Sequence, residues 1–356
     1  MFIRQLKLKN FRNYDYQEID FNKNINIIYG NNAQGKTNII EAIFLCAYGK
    51  SFRVKKDSDL IKFDKDKAKI DLIYERVDRE GKIEAEIDGK KSFSSNGIKL
   101  NRISDVVGKI NVVIFTPDDI NIVKEGPKER RRFIDMMISS LKPNYLHLLS
   151  SYNQALEQRN NYLRQIKQEN KDTSMLDIWD DQLSNYSSEI YRYRKLYIEK
   201  ISEKLNSFYE MITNNKEEKV KIKYISTGKD KQTYSDNLAK TRDIDIKRGF
   251  TSTGIHRDDF ILYINDRPAQ VYGSQGQKRT LLLALKLCEL SIVKEDINES
   301  PILLLDDFMS ELDETRRNNF LENIKECQII ITCTDKIKLD ADYSEYYVEK
   351  GVCRKL

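Results

Sequence analysis

Residues 30–37 read Gly-Asn-Asn-Ala-Gln-Gly-Lys-Thr, which matches the pattern of a loop that binds nucleotide phosphates. Gly30 and Gly35 carry no Cβ, so the backbone can turn sharply and point its N–H groups at an anion. Lys36 is expected to reach the β- and γ-phosphates of ATP, and the Thr37 hydroxyl to bind Mg²⁺. A chance glycine-rich turn is the alternative. The predicted nucleotide contacts in the loop are Gly30, Asn31, Asn32, Ala33, Gln34, Gly35, Lys36 and Thr37.

Two adjacent carboxylates follow an apolar run much later in the chain. Residues 302–305 read Ile-Leu-Leu-Leu and precede Asp306 and Asp307. Because phosphate-loop folds hold Mg²⁺ with an acid at the tip of such a strand, Asp306 is predicted to be a metal ligand. Asp307 is predicted to orient the attacking water. Acids at strand ends also cap turns, which is the alternative. With Lys36, these acids form the predicted catalytic set.

A third polar stretch, Ser274-Gln275-Gly276-Gln277, opens a predicted helix. It offers a hydroxyl, backbone N–H groups and the positive end of a helix dipole to an anion. This pattern is weak on its own. Its position between the phosphate loop and the acid pair makes the order specific, so Ser274, Gly276 and Gln277 are predicted nucleotide contacts.

Alternating strands and helices are expected to position these residues. The apolar run at 25–29 leads into the loop, and residues 38–45 continue with helical spacing. Strand-like alternation occurs at 2–8 and 16–21, before the loop, and an antiparallel meander is predicted after it from the alternation at 69–74 and 82–87 and the turn signal Asp88-Gly89. In the final third, strands are predicted at 261–264, 302–305 and 328–331, and helices at 279–292 and 314–324.

The middle of the chain is predicted to be helical. Apolar and aromatic residues recur every three or four positions from Tyr145 to Ile166 and again from Leu183 to Phe208. We interpret them as two antiparallel helices, a short coiled-coil-like hairpin whose stripes are packing surface. Residues 229–247 are polar and are interpreted as a link back to the first domain. The predicted fold is α/β, with a head at 1–124 and 248–356 and a mostly helical insertion at 125–247.

Composition limits the classes of protein to consider. Of 356 residues, 40% are hydrophobic and 33% are charged, which indicates a folded chain rather than a disordered one. No run of eighteen apolar residues occurs and the N-terminus lacks the apolar centre of a signal peptide, so neither membrane insertion nor secretion is expected. Five cysteines without C-x-x-C spacing favour reduced thiols and a cytoplasmic location.

Basic residues are concentrated near the phosphate loop. Residues 1–65 contain twelve Lys and Arg against seven Asp and Glu, and the whole chain has a formal net charge of +5. A basic patch beside an ATP site suits a polyanion such as DNA, although a charge run is as often a solvated surface. The arginines at 130–132 could contact phosphate or cover acidic helix surface, and His256 is interpreted as structural. The candidate DNA contacts are Arg12, Lys50, Arg53, Lys55, Lys56, Arg130 and Arg131.

Eight ordered stretches give the chain a resemblance to a known family. They are residues 10–14, the phosphate loop with Asn38, Glu41 and Ala42, and residues 50–53, 115–119, 130–135, 254–259, 274–280 and 305–313. With them the chain resembles the ATP-binding-cassette (ABC) ATPases, in the branch that contains the heads of structural-maintenance-of-chromosomes (SMC) proteins. In such heads two subunits enclose two ATP molecules. The resemblance implies that Asn38 joins the nucleotide contacts, that Ser274 and Gly276 contact the γ-phosphate held on Lys36 of a second chain, and that Asp313 lies at the dimer seam.

Within that branch the chain resembles recombination mediators. The resemblance implies a cytoplasmic, ATP-dependent homodimer that binds gapped, single-stranded and double-stranded DNA, with RecO and RecR as partners in loading the RecA recombinase. It also implies roles in DNA repair, DNA replication and the SOS response. Asp307 stands where many cassette ATPases have Glu, and residues 331–335 contain no switch histidine, so a weak, DNA-stimulated ATPase is expected. The alternatives are an ATPase motor or nuclease-coupled SMC-like repair enzyme, and a transporter-type cassette subunit.

Overall fold

The computed structural model describes residues 1–77, 79–169, 172–307, 320, 324, 326–336 and 342–356. Its strands are β1 (Phe2–Phe11), β2 (Tyr14–Asp20), β3 (Ile25–Tyr29), β4 (Ala68–Glu75), β5 (Glu80–Ile87), β6 (Lys91–Ser95), β7 (Ile98–Lys99), β8 (Val112–Phe115), β9 (Val220–Ile225), β10 (Asp259–Ile264), β11 (Arg267–Pro268), β12 (Ile302–Asp306), β13 (Ile329–Cys333), β14 (Tyr343–Glu349) and β15 (Val352–Lys355). Its helices are α1 (Lys36–Tyr48), α2 (Asn121–Lys124), α3 (Pro127–Leu141), α4 (Pro143–Glu169), α5 (Met175–Thr213), α6 (Lys231–Arg248), α7 (Ala269–Tyr272) and α8 (Gln275–Ile297).

The chain divides into two compact units. The first unit comprises residues 1–119, 211–213 and 289–356, and the second comprises residues 120–210 and 214–288. The observed division therefore groups residues 248–288 with the helical part, whereas the sequence placed them in the head. The assignment of an ATPase head to 1–124 and 248–356, and of an insertion to 125–247, stays a prediction.

A largely parallel sheet in the first unit carries the phosphate loop. Its strand order is β15-β14-β3-β13-β12-β8, and all neighbours are parallel except β14 and β15. Every residue of β12 and β13 is buried, as expected for parallel strands covered on both faces. The loop follows β3, and Asp306 is the last residue of β12. Because carboxyl ends of parallel strands share one edge of a sheet, the fold brings the loop and this acid together.

A second sheet of the first unit is antiparallel. Its strand order is β2-β1-β4-β5-β6-β7. Burial alternates along β4 and β5, the pattern of strands with one face against a core. The predicted meander is confirmed, because β4, β5 and β6 are neighbours in chain order and Gly89 turns between the last two with a φ of 79°.

The second unit contains the predicted helical hairpin of α4 and α5. The ring of Tyr145 lies 5.4 Å from that of Tyr193, centroid to centroid. Further along α4, Arg159 donates to Asp180, and Leu163 shares an apolar cluster with Leu176. Contacts that advance along α4 retreat along α5, so the two helices are antiparallel, as predicted.

The interpretation of residues 229–247 as a link was wrong, because α6 occupies 231–248. Asp230 caps this helix by accepting from the Thr233 backbone N–H at 2.8 Å. Only three of its residues are buried, Tyr234, Leu238 and Asp245, so the sequence lacks the apolar periodicity by which a helix is recognised. The second unit also contains an antiparallel sheet of order β11-β10-β9.

The two helices predicted in the final third of the chain have different outcomes. The helix predicted at 279–292 is longer in the structure, where α8 runs from Gln275 to Ile297. The helix predicted at 314–324 falls on residues of which only Phe320 and Ile324 are described. Within the described residues, no helix combines the length and apolar character needed to cross a membrane.

Candidate nucleotide site

The two glycines of the phosphate loop occupy positions that exclude a side chain. Gly30 has a φ of 152°, and a Cβ there would lie 2.3 Å from the backbone oxygen of Val348. Gly35 has a φ of 118°, and a Cβ there would lie 2.6 Å from Asn13 Nδ2. Both the backbone conformation and the close neighbours therefore require glycine. The loop passes directly into α1, whose N-terminal N–H groups suit an anion.

Lys36 is buried within the loop. Its ammonium donates to the backbone oxygens of Gly30 at 2.7 Å and Asn31 at 3.0 Å. Among the described residues, no carboxylate forms an ion pair with it. A buried cation held only by carbonyl oxygens is suited to an incoming phosphate, because a charged acceptor gives stronger hydrogen bonds than a neutral one.

Asp306 lies against two threonine hydroxyls. Thr37 Oγ1 donates to Asp306 Oδ1 at 2.9 Å, and Thr332 Oγ1 donates to the same oxygen at 2.7 Å. Burial raises the pKa of Asp306, while these hydrogen bonds act in the opposite direction. The Thr37 hydroxyl and the Asp306 carboxylate are the oxygen donors that Mg²⁺ prefers, so these residues fit the predicted metal site. When bound, Mg²⁺ neutralises charge on the phosphate oxygens.

Asp307 follows directly at the same edge of the sheet. Its backbone has a φ of 47°, in the left-handed region, and its N–H lies 3.2 Å from Thr332 O and 3.1 Å from Thr332 Oγ1. Its side chain is partly exposed, one residue beyond the proposed metal ligand. The sheet therefore brings the loop, Asp306 and Asp307 together, whereas the role of Asp307 towards water stays a prediction.

Asn13 and the first residue of β2, Tyr14, brace the phosphate loop. Asn13 Nδ2 donates to Gln34 O at 2.7 Å, and Asn13 Oδ1 accepts from Asn38 Nδ2 at 2.8 Å. The Tyr14 hydroxyl donates to Gly35 O at 3.0 Å. Asn13 and Tyr14 carry part of the family resemblance, although no role is predicted for Asn13 from the sequence. Its contact with Asn38, 25 positions away, carries no periodic pattern that sequence reading could detect.

The predicted Ser274 turn lies in the second unit, at the start of α8. The Gln277 backbone N–H donates to Ser274 Oγ at 3.2 Å, and the Ser274 backbone N–H donates to Gln277 Oε1 at 2.8 Å. This reciprocal pair is a capping box with Gln at its fourth position. Ser274 is exposed, and Gly276 and Gln277 are partly exposed. Asp313, the predicted seam residue, lies outside the described residues.

Comparison with known proteins defines the family. A family model described as AAA domain matches residues 5–225. DNA replication and repair protein RecF of Clostridium acetobutylicum is 45% identical, and the alignment covers 99% of each chain. The RecF protein of Clostridium tetani is 40% identical with the same coverage. The chain belongs to the RecF family.

Solved structures agree with membership of the RecF family. The recombination mediator protein RecF-ATPrS in the RecFOR pathway has a TM-score of 0.94 and 38% identity, covering 100% of this chain and 98% of that chain. An SMC head domain from Pyrococcus furiosus has a TM-score of 0.59 at 19% identity, covering 100% of this chain and 96% of that chain, which indicates a shared fold alone. The predicted fold class, an α/β ABC-type ATPase head with an inserted helical lobe, is confirmed.

Two candidate DNA contacts of this RecF-family chain are bound within the first unit. Arg12 donates to both carboxylate oxygens of Glu41, at 2.8 and 2.7 Å, and to Asp59 O. Arg53 donates to Asn38 Oδ1 at 2.9 Å. Arg12 and Arg53 therefore both contact side chains of α1, whose buried Glu41 forms ion pairs with the two of them. Neither guanidinium is fully free for a DNA phosphate.

The lysines of the same region differ from those arginines. Lys50, Lys55 and Lys56 are exposed. For Lys55 and Lys56, no ion pair is found with any other described residue. Exposed ammonium groups without a carboxylate partner are the kind of charge that contacts a DNA backbone. These two lysines are the strongest remaining DNA candidates near the phosphate loop.

The arginines at 130 and 131 lie in the second unit, where Arg130 is buried and Arg131 is partly exposed. Arg130 is 5% exposed and donates to both oxygens of Asp259, at 2.7 and 2.9 Å. Arg131 donates to the backbone oxygen of Asp258 at 2.7 Å. An arginine whose fork is already occupied by a carboxylate offers little to a phosphate. We therefore leave Arg130 out of the DNA surface, whereas contact of Arg131 with DNA stays a prediction.

Proposed function

We propose that this chain is an ATP-gated recombination mediator that binds DNA as a homodimer and hydrolyses ATP slowly as a switch. It acts in the cytoplasm at single-strand gaps and stalled forks, and helps load the RecA recombinase with RecO and RecR. Membership of the RecF family supports this assignment, since relatives are named DNA replication and repair proteins and solved relatives belong to the RecFOR pathway. The same membership supports roles in DNA repair, replication and the SOS response.

The observation that carries the nucleotide part of the proposal is the contact between Thr37 and Asp306. These residues are 269 positions apart, yet their side-chain oxygens lie 2.9 Å from each other. One chain thus brings the two predicted protein ligands of Mg²⁺ together, beside a loop whose lysine is buried and has no ion-pair partner among the described residues. The site residues are Gly30 to Asn38, with Lys36, Asp306 and Asp307 in the catalytic roles.

ATP gating requires that ATP bind the closed dimer more tightly than the monomer. In the proposed dimer, Ser274, Gly276 and Gln277 of one chain contact the γ-phosphate bound to the other chain, with Asp313 at the seam. The exposed Ser274 turn supports this arrangement, because an anion can reach its hydroxyl and the N-terminus of α8. Asp307 is one methylene shorter than Glu, which suits slow hydrolysis and a switch rather than a motor.

The test is the Lys36→Ala substitution. Removing the ammonium should weaken ATP binding by about 100-fold, because a charge-assisted phosphate contact is lost. Light scattering with Mg²⁺ and ATP should then show a dimer for the wild type and a monomer for the variant. Lys9→Ala removes an exposed lysine of β1 and should dimerise normally. If Lys36→Ala dimerises as well as the wild type, ATP gating through this loop is wrong.

A further inference from the structure

A chain of hydrogen bonds in the second unit links α5 to the Ser274 turn. The Tyr209 hydroxyl donates to Glu218 Oε2 at 2.6 Å. Gln277 Nε2 donates to the other oxygen of Glu218, Oε1, at 2.5 Å. Gln277 Oε1 in turn accepts from the Ser274 backbone N–H at 2.8 Å. Glu218 therefore lies between a buried tyrosine of α5 and Gln277, the residue of α8 whose side chain accepts from the Ser274 N–H.

The Glu218 carboxylate determines which way the Gln277 amide faces. An ionised carboxylate only accepts hydrogen bonds, so the NH₂ end of the amide must point at Glu218. The carbonyl end is thereby directed to the Ser274 backbone N–H. If the amide turned over, two acceptors would face each other at Glu218 and two donors at Ser274. The capping box of α8 thus depends on a residue 59 positions away from Gln277.

The same contacts prepare the Ser274 hydroxyl. Its oxygen accepts from the Gln277 backbone N–H at 3.2 Å, which restricts the rotamer of the serine. One lone pair of the oxygen is then engaged, while none of the described residues accepts its own proton. A phosphate oxygen is a suitable acceptor for this proton. The turn is therefore organised before any nucleotide arrives, which lowers the entropy lost on binding.

We propose that Glu218, anchored by Tyr209, is a positioning residue that holds Gln277 and Ser274 ready for the γ-phosphate bound to the partner chain. This inference rests on the proposed function, since it assumes that Ser274 meets ATP across a dimer. Glu218 itself does not touch the nucleotide. Its effect is on dimer formation, whereas binding of ATP to the phosphate loop of a monomer is independent of it.

The test compares Glu218→Gln with Glu217→Gln in the full-length chain. Glutamine at 218 replaces two hydrogen bonds to a carboxylate with weaker neutral ones, and its amide can present either end to Gln277, so it no longer fixes the orientation of the Gln277 amide. Glu217 is exposed, and its substitution makes the same change of charge one residue away. Hydrogen exchange of the monomer without ATP should rise across 272–280 for Glu218→Gln alone. Sedimentation with Mg²⁺ and ATP should show dimerisation weakened roughly 5- to 20-fold for that variant.

Two further measurements separate the possible failures. The affinity of each monomer for a fluorescent ATP analogue should stay within twofold of the wild type, and a loss there would contradict a positioning role. Ser274→Ala should weaken dimerisation at least as much as Glu218→Gln. If the wild type dimerises with ATP and Ser274→Ala does not, but Glu218→Gln matches the wild type in exchange and dimerisation, this inference fails alone. If Ser274→Ala dimerises like the wild type, the proposed dimer itself fails.

Tyr209→Phe provides a second variant in case Glu218→Gln folds poorly. It removes one donor to Glu218 and leaves the Gln277 contact in place. Its exchange at 272–280 and its dimerisation should therefore fall between those of the wild type and Glu218→Gln. A Tyr209→Phe variant whose exchange matches the wild type would show that the anchor is unnecessary and would overturn that part of the proposal.

Discussion

The buried charges of the phosphate-loop site in the first unit are satisfied differently from those inside the second unit. In the first unit, Lys36 contacts carbonyl oxygens and Asp306 contacts hydroxyls, and neither forms an ion pair with a described residue. In the second unit, Arg159 pairs with Asp180 at 2.6 Å and with Asp245 at 2.8 Å. A buried charge without an opposite charge is costly unless a ligand completes it. The unpaired charges therefore mark a binding site, and the paired ones hold the fold.

Arg130 differs from the last two lysines of the basic stretch after α1, because a described carboxylate pairs with it and not with them. Arg130 and its neighbours read in sequence as possible phosphate contacts, as did the basic stretch after α1. In the structure, Arg130 is paired with Asp259, and Arg194 donates to both oxygens of Asp135. Burial with a carboxylate partner thus distinguishes structural arginines from candidates for nucleic-acid contact. Substitution of the paired charges should change stability, whereas substitution of the unpaired ones should change ligand binding.

The largest effect is expected from Asp245→Ala. This change leaves Arg159, which is fully buried, with one of its two carboxylates, and it also removes the acceptor of Ser252. Breaking a buried ion pair on one side costs about 3–5 kcal/mol of unfolding free energy. Denaturant unfolding should show that loss. ATP affinity, measured well below the unfolding midpoint, should be unchanged because no residue of the phosphate loop is altered.

Asp243→Ala is the matched control, since Asp243 is an exposed acid on the same helix. Its unfolding free energy should stay within about 0.5 kcal/mol of the wild type. Lys36→Ala should give the reverse of Asp245→Ala, with ATP binding lost and stability largely kept. If Asp245→Ala impaired ATP affinity as strongly as stability, the distinction between the two kinds of buried charge would not hold.

A pH effect of intermediate size is expected from His256 in the second unit. Its Nε2 lies 3.1 Å from Thr251 O, which only accepts, so Nε2 carries the proton and Nδ1 accepts from the Tyr152 hydroxyl at 2.6 Å. Burial lowers the pKa of His256 to about 4. The unfolded chain takes up this proton near pH 6.5 and the folded chain only near pH 4. Stability should therefore fall as pH drops through that interval, by at most roughly 3 kcal/mol.

Comparison with His256→Gln isolates this contribution. Urea unfolding at several pH values between 7.5 and 4.5 should show a steeper loss of stability for the wild type than for the variant. His147→Gln removes the other, exposed histidine and should follow the wild type. Parallel curves for the wild type and His256→Gln would mean that this histidine is not held neutral in the fold.

The residues that sequence reasoning located share a local pattern. The phosphate loop, the strand before Asp306 and the Ser274 turn each carry their chemistry within a few consecutive positions, and α4 and α5 have a long apolar period. Local spacing is what a single sequence displays. The parallel order of β3, β13 and β12 then places the first two of these sites at one edge, which a phosphate-loop fold requires.

The residues that sequence reasoning missed depend on partners far away in the chain. Glu218 matters through Gln277, and the burial of Arg130 follows from Asp259, 129 positions later. A charge pattern cannot reveal such a partner, so Arg130 resembled a phosphate contact. Helix α6 was not predicted for a related reason. Asp245 is a polar residue in the sequence pattern, but in the structure it is buried and forms an ion pair with Arg159.

The smallest effect concerns the exposed lysines of the first unit. If Lys55 and Lys56 contact DNA phosphates, the double substitution to Gln should reduce the slope of log affinity against log salt by about 2, since each duplex contact contributes about 0.9. Fluorescence anisotropy with a gapped duplex, with ATP present, would measure it. Lys240 and Lys247 are exposed on α6 in the second unit, and their double substitution should leave the slope unchanged. If only the Lys240 and Lys247 substitutions reduced the salt dependence of DNA affinity, the DNA-binding surface would lie in the second unit and not beside the phosphate loop.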